Sequence, residues 1–137
     1  MKHTVCLLVL LVSGCSTEWF LDPHTEDDLR AKSKHQQEYD SDQDYETVYR
    51  NLWEVLNKDE ARRGSGRNVI IHEVFPQQRY ATIHRQDADE GEGFITFVLD
   101  FYPKADDGSR IHLYAGSGME FRLIEKWLRK VGCRPAI

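Results

Sequence analysis

The chain has 137 residues, which is enough for one domain with a hydrophobic core. It carries 18 Lys and Arg against 23 Asp and Glu, a formal net charge of −5 at pH 7. An acidic chain without a basic patch is a poor match for nucleic acid, so we expect no nucleic-acid partner. Anionic lipid head groups would not attract it either, and attachment to a membrane would require a lipid or an apolar segment.

An apolar run opens the chain. Residues 5–12 are apolar and follow the positively charged Lys2. A membrane-spanning helix needs about 20 apolar residues, so this run is too short to span and has the length of a signal-peptide core. Two small residues and then Cys15 follow it. We therefore expect residues 1–14 to be a signal peptide.

The sequence Val12-Ser13-Gly14-Cys15 resembles the lipobox of bacterial lipoproteins. The resemblance implies cleavage by signal peptidase II before Cys15 and attachment of diacylglycerol and a further acyl chain to that residue. Each buried CH₂ contributes roughly 0.8 kcal/mol, so several acyl chains together anchor a protein firmly. Ser16 rather than Asp follows the cysteine, which implies the outer membrane, facing the periplasm, more than the inner membrane. The alternative is an ordinary secretory signal with a coincidental cysteine.

The three cysteines then have different fates. Cys6 is removed with the signal peptide and Cys15 is acylated, so only Cys133 remains. An intramolecular disulfide in the mature chain is excluded on this interpretation. Cys133 is therefore buried, free or bonded to another chain.

Residues 15–40 are mostly polar and charged. Such a composition buries too little apolar surface to offset the entropy of ordering. We predict a lipidated cysteine and flexible tether over residues 15–40 and a single domain over residues 41–137. Trp19, Phe20 and Leu21 interrupt the polar segment, and they either enter the membrane interface or pack on the domain.

A helix is predicted to begin near Ser41, which forms a capping-box variant with Asp44. Apolar residues then recur at helical spacing: Tyr45, Val48, Tyr49, Leu52, Val55 and Leu56. The Gly-Ser-Gly sequence at residues 64–66 ends this helix. The last helix has a capping box of Ser117 and Glu120, and Gly132 stands at its C-terminal end. Its apolar stripe consists of Phe121, Ile124, Trp127, Leu128 and Val131.

Four strand-like runs lie between the helices, at residues 68–75, 79–85, 94–102 and 110–115. Their alternating pattern indicates an antiparallel sheet with one covered face. In the third run this alternation places four residues on the covered face: Ile95, Phe97, Leu99 and Phe101. The order α-β-β-β-β-α predicts an α+β fold, in which both helices pack on one face of a four-stranded antiparallel meander.

The face of the sheet away from the helices is the predicted binding surface. Its expected residues are Tyr80, Thr82, His84, Thr96, Val98, Tyr102, His112 and Tyr114. Tyrosine is enriched at protein interfaces. We therefore expect this face to contact an envelope protein, a glycan or a second copy of the chain.

The sequence contains no convincing metal site. His72, His84 and His112 lie on different strands, and the strand between the last two offers Thr96 and Val98 rather than ligands. The sequence does not determine which face of the sheet His72 occupies, because a one-residue slip in register would move it to the other face. The acidic loop at residues 87–93 does not match an EF-hand, because the twelfth position from its start is a valine. We predict no bound metal and no cofactor.

No catalytic arrangement stands out either. Ser117 lies outside a Gly-x-Ser-x-Gly pattern, and Cys133 lies beyond the last helix. The chain as a whole resembles the small lipid-anchored envelope proteins of Gram-negative bacteria that carry one α+β domain. We expect a non-enzymatic binding or scaffolding role in the periplasm. The alternatives are a small-ligand or metal-binding lipoprotein that uses His84, His112 and the acidic loop, and a hydrolase with an unrecognised site.

Overall fold

The computed structural model describes residues 25–63, 68–87 and 94–136. The predicted signal peptide, the lipobox with Cys15, and Trp19, Phe20 and Leu21 lie outside these ranges. The same holds for the Gly-Ser-Gly sequence and for most of the acidic loop.

The described residues form three helices and six strands. Their bounds are α1 Glu26–Lys32, β1 His35–Ser41, α2 Tyr45–Arg63, β2 Asn68–Phe75, β3 Tyr80–Asp87, β4 Phe94–Pro103, β5 Ser109–Ala115, α3 Gly118–Lys130 and β6 Arg134–Pro135. The strands make one antiparallel sheet in the order β2-β3-β4-β5-β1-β6. The α+β class is confirmed, and the predicted four-stranded meander forms four consecutive strands of this larger sheet.

The main core lies between the sheet and helices α2 and α3. Val48 and Leu52 of α2 and Leu128 of α3 are fully buried within it. The sheet contributes Ile83, Phe97, Leu99, Phe101, Ile111 and Leu113, which are also buried. The alternation of apolar residues in β3, β4 and β5 therefore identified most of the covered face correctly.

The predicted flexible tether is wrong for residues 26–40, which form α1 and β1. The strand β1 pairs with β5 along its whole length and with β6 on its other side. Its polar composition concealed it, because its order depends on backbone pairing and on one large anchor. That anchor is Tyr39, which is fully buried and donates a 2.6 Å hydrogen bond to Oε2 of Glu125. The domain therefore begins before residue 41.

A β-bulge interrupts β4. Arg85 of β3 pairs with Phe97, whereas the next residue, Gln86, pairs with Ile95. Thr96 is thus the extra residue of the bulge, and the alternation of side chains reverses on its far side.

The bulge overturns two predictions. Ile95 was expected on the helix-covered face, but it packs with Leu29 of α1 and Val98 on the opposite face. Thr96 was expected on that opposite face, but its hydroxyl accepts a 2.8 Å hydrogen bond from Nε of Arg85, whose guanidinium also bonds α3. Thr96 therefore does not belong to the predicted binding surface.

The predicted cap of α3 is confirmed, whereas the predicted start of α2 is not. The first cap of α2 is Asp44, whose Oδ1 accepts a hydrogen bond from the backbone N–H of Thr47 at 3.0 Å, so the prediction of Ser41 was wrong. Ser117 caps α3 as predicted, accepting from the backbone N–H of Glu120 at 3.2 Å. Gly132 has φ +92° just past the end of α3, which is the left-handed conformation that glycine tolerates best.

Candidate functional site

The outer face is the face of the sheet turned away from α2 and α3. Direct cross-strand pairing places most of the predicted surface residues on it. They are Tyr80, Thr82 and His84 of β3, Val98 and Tyr102 of β4, and His112 and Tyr114 of β5. All of the predicted residues except Thr96 therefore share one face.

Helix α1 lies over this face, on β4 and β5. Its Leu29 is buried against Val98, and Tyr114 packs beside them. Thr82 and His84 are buried as well. These covered side chains are closed to a partner, so only part of the predicted surface is accessible.

An ion pair between a partly exposed arginine and a buried carboxylate holds α1 in place. Asp100 of β4 is 1% exposed, and its carboxylate accepts hydrogen bonds from Nε of Arg30 at 2.8 Å and from Nη2 at 2.7 Å. The hydroxyls of Tyr80 and Thr82 donate to Asp100 Oδ1 at 2.6 and 3.2 Å. Two-pronged arginine–carboxylate contacts are among the stronger hydrogen bonds in proteins. We call Arg30 and Asp100 the clamp.

The clamp alters the acid–base behaviour of its members. The hydrogen bond to Asp100 raises the pKa of Arg30, against the opposing effect of burial. Burial first, and then the hydrogen bond to Asp100, raises the pKa of Tyr80. Both groups therefore keep their protons at neutral pH, and neither is poised as a general base.

Sequence reasoning missed the clamp. Asp100 is the one charged residue in the run FITFVLDFY, and a carboxylate in an otherwise apolar strand requires a partner when it is buried. That signal pointed to a buried pair. Arg30 carried no comparable signal, since it lies in a segment rich in charges of both signs.

His84 lies beneath the first turn of α1. Its Nδ1 is 3.2 Å from Oε1 of Glu26 but makes no aligned hydrogen bond among the described residues. Burial lowers the pKa of His84, and the negative charge of Glu26 opposes that shift without cancelling it. His84 is therefore held mainly in its neutral form.

The three strand histidines do not converge. His112 stacks on Tyr114 with ring centroids 4.1 Å apart, and β4 separates it from His84. His72 occupies the helix-covered face, where its Nδ1 contacts the hydroxyl of Tyr49. Across residues 25–63, 68–87 and 94–136, no three His, Cys, Asp or Glu side chains are grouped to hold a metal ion.

Three contacting aromatic rings lie on the outer face beside α1, with Phe75 and Tyr80 partly exposed. Phe75 stacks on Tyr80 at a centroid distance of 5.5 Å, and Tyr80 contacts Tyr102 at 5.1 Å. Tyr102 is 43% exposed. We call these three residues the aromatic strip.

The opposite face carries a second buried ionic cluster. Nη2 of Arg85 lies 2.6 Å from Oε2 of Glu120, and its Nη1 lies 3.5 Å from Oε2 of Glu60. Burial raises the pKa of Glu120, and the charge of Arg85 opposes this shift. The cluster links β3 to α2 and α3, and it contains no nucleophile.

Neither candidate nucleophile is activated. The hydroxyl of Ser117 is engaged in capping α3. Cys133 is a buried free thiol, and burial raises its pKa to about 12. Reactive cysteines have lowered pKa values, so Cys133 has the character of an inert core residue.

A shallow cleft of about 400 Å³ lies beside the loops that follow β2 and β4. Its lining includes Tyr45, Arg79 and Lys104 together with the carboxylate of Asp44. Hydrogen bonds from Thr47 lower the pKa of Asp44, which is engaged as the cap of α2. The residues that line the cleft thus carry charges of both signs, and their arrangement does not indicate which ligand the cleft would bind.

No protein-family model matches the chain, and no curated protein or solved structure matches it either. Within the described residues, no helix has both the length and the apolar character needed to cross a membrane.

We predict that Arg30→Gln lowers the free energy of unfolding by roughly 3–5 kcal/mol, because it leaves the buried carboxylate of Asp100 without its charge partner. Urea denaturation measures the loss, and hydrogen exchange should show that α1 loses protection first. Arg134→Gln is the matched control, since its pair with Asp42 is fully exposed and its loss should leave stability nearly unchanged. Equal effects of the two changes would contradict the role of the clamp.

We predict that the wild type loses stability relative to His84→Gln as the pH falls below about 6.5. The unfolded chain binds a proton at His84 in that range more readily than the folded chain does, because burial lowers the pKa of the folded side chain. Protonation of His84 therefore favours unfolding of the wild type, and this contribution is absent from His84→Gln. Urea titrations at about pH 7.5 and about pH 5 measure the difference. Parallel pH profiles for the two proteins would show that His84 is not shielded. His112, whose pKa burial also lowers, is present in both and cancels.

Proposed function

We propose that this chain is a lipid-anchored envelope protein that binds a partner protein without catalysis, using the aromatic strip as its contact surface. One observation carries the proposal: beside α1, which covers the centre of the outer face, Phe75, Tyr80 and Tyr102 form a continuous row of contacting rings that is partly exposed at Phe75 and Tyr80 and exposed at Tyr102. Aromatic residues with one polar end are enriched at protein interfaces and dominate their binding energy.

The surroundings of the strip favour a contact surface over an active site. The phenol of Tyr80 is fixed by Asp100 and Arg30, so its ring is held in one orientation before a partner arrives. A rigid aromatic contact loses little conformational entropy on binding. The separation of His84 from His112 gives less support to the metal-binding alternative.

The lipid attachment is proposed from the lipobox resemblance. Because the clamp fixes α1 on the sheet, the link between the proposed lipid and the domain is shorter than the tether of residues 15–40 expected from the sequence. Only nine residues lie between Cys15 and Thr25, where the described chain begins. An extended chain spans at most about 3.6 Å per residue, so the start of α1 would lie within roughly 35 Å of the acylated cysteine. The partner is accordingly proposed to be an envelope protein close to the outer membrane.

We predict that Tyr102→Asp reduces capture of the partner by a membrane-permeable cross-linker at least tenfold, which corresponds to about 1.4 kcal/mol. Burying a new carboxylate in an aromatic contact is unfavourable. Met119→Asp is the matched control, because Met119 is 75% exposed on α3, on the other side of the sheet. Capture is quantified by mass spectrometry of the cross-linked products. Equal capture by the two variants would contradict the proposed surface.

We predict that Cys15→Ser moves the protein from the membrane fraction to the soluble fraction, because no acyl chain is then attached. Fractionation with intact-mass measurement checks both location and acylation. Cys133→Ser is the control and should stay with the membrane, since Cys133 is a buried core residue. A wild-type chain with an unacylated Cys15 and uncleaved preceding residues would overturn the anchoring.

A further inference from the structure

The strand β2 forms an open edge of the sheet. It pairs with β3 on one side, and no described strand pairs with its other side. Its sequence NVIIHEVF has high strand propensity and contains no Pro, Lys or Arg. Val69 and Val74 are 51% and 38% exposed along it. Such an edge is a template for pairing with another strand.

The other edge of the sheet is protected. The strand β6 has two residues, Arg134 and Pro135, and it pairs with only the end of β1. A short strand, a charged residue and a proline are the usual means of preventing edge pairing. The sheet therefore has one edge protected against pairing, at β6, and one edge open to pairing, at β2.

We propose that β2 pairs antiparallel with β2 of a second copy of this chain, about a two-fold axis at His72, to make one continuous sheet across the dimer. In this register seven residues of each copy are paired. Val69 lies opposite Phe75 of the second copy, Ile70 lies opposite Val74, and His72 lies opposite its own counterpart.

The side chains of β2 select this register. Cross-strand neighbours must share a face, so a two-fold axis has to pass through a residue position. An axis at Glu73 would place two carboxylates directly opposite each other, which is destabilising. An axis at Ile71 would place the exposed Val69 opposite Glu73 and Val74 opposite Asn68. The axis at His72 pairs Val69 with Phe75 and Val74 with Ile70, keeps the two carboxylates apart, and leaves Ile71 opposite Glu73 as its one contact between an apolar and a charged residue.

Both sides of the edge support the pairing. On the helix-covered side, the ring of Trp53 of α2 lies 4.5 Å from that of His72, so the edge is backed by packed aromatic rings. On the outer side, Phe75 belongs to the aromatic strip. The dimer would therefore carry two strips on one extended face, although its formation does not depend on the strip binding a partner.

The oligomeric state of the purified full chain in detergent tests this inference. Sedimentation velocity over a range of concentrations should show a monomer–dimer equilibrium for the wild type. Val69→Lys combined with Val74→Lys should raise the dissociation constant at least tenfold, because lysines on an edge oppose pairing. Met119→Lys, a change at a still more exposed apolar residue on α3, should leave the dissociation constant unaltered. A wild type that is monomeric throughout, or a dimer unaffected by the lysines, would overturn the inference.

A cysteine placed at the axis gives an independent readout should the double variant fold poorly. Opposed residues of antiparallel strands have Cα atoms about 4.5–5.5 Å apart, within the range for a disulfide. His72→Cys should therefore give a disulfide-linked dimer on mild oxidation. Glu73→Cys is the control, because the register places its counterpart two residues along the strand, beyond disulfide reach. No cross-link at residue 72, or an equal yield at residue 73, would overturn the proposed register. Neither assay requires an envelope partner, so the outcome is distinct from that of the aromatic strip.

Discussion

The buried carboxylate of Asp100 is the constraint on which the outer face depends. A charged group in the middle of a sheet needs a partner, and Arg30 is supplied by a helix that must then lie across the sheet. Docking that helix buries Leu29 against Val98 and covers His84. One ion pair thus divides the outer face into a closed centre and an accessible aromatic strip.

The parts of the fold that could be predicted are those in which apolar residues repeat at the period of their element. The helix α3 and the strands β3 to β5 were recognised because their buried side chains follow periods of 3.6 or 2. The strand β1 was missed because it is held by backbone pairing with β5 and β6, and Tyr39 is its one large buried apolar side chain. The composition of a segment does not reveal a strand that forms because it pairs with neighbouring strands.

The candidate site was predicted in position but not in exposure. Alternation along β3, β4 and β5 placed Tyr80, Tyr102 and Tyr114 on one face correctly, and a single bulge misplaced Thr96. Alternation reports which face a side chain occupies, whereas burial depends on what covers that face. The covering helix came from a segment judged too polar to fold, so the closure of the centre was invisible in the sequence.

The position of the clamp has a mechanical consequence if the chain is tethered at Cys15. Tension between the membrane and a bound partner would enter the domain at the start of α1, and it would pull that helix away from the sheet. The hydrogen bonds between Arg30 and Asp100 would resist this force first. The core between the sheet and helices α2 and α3 lies on the other face of the sheet and would not bear the force at that stage. The domain would then yield by releasing a seven-residue helix before its main core is strained.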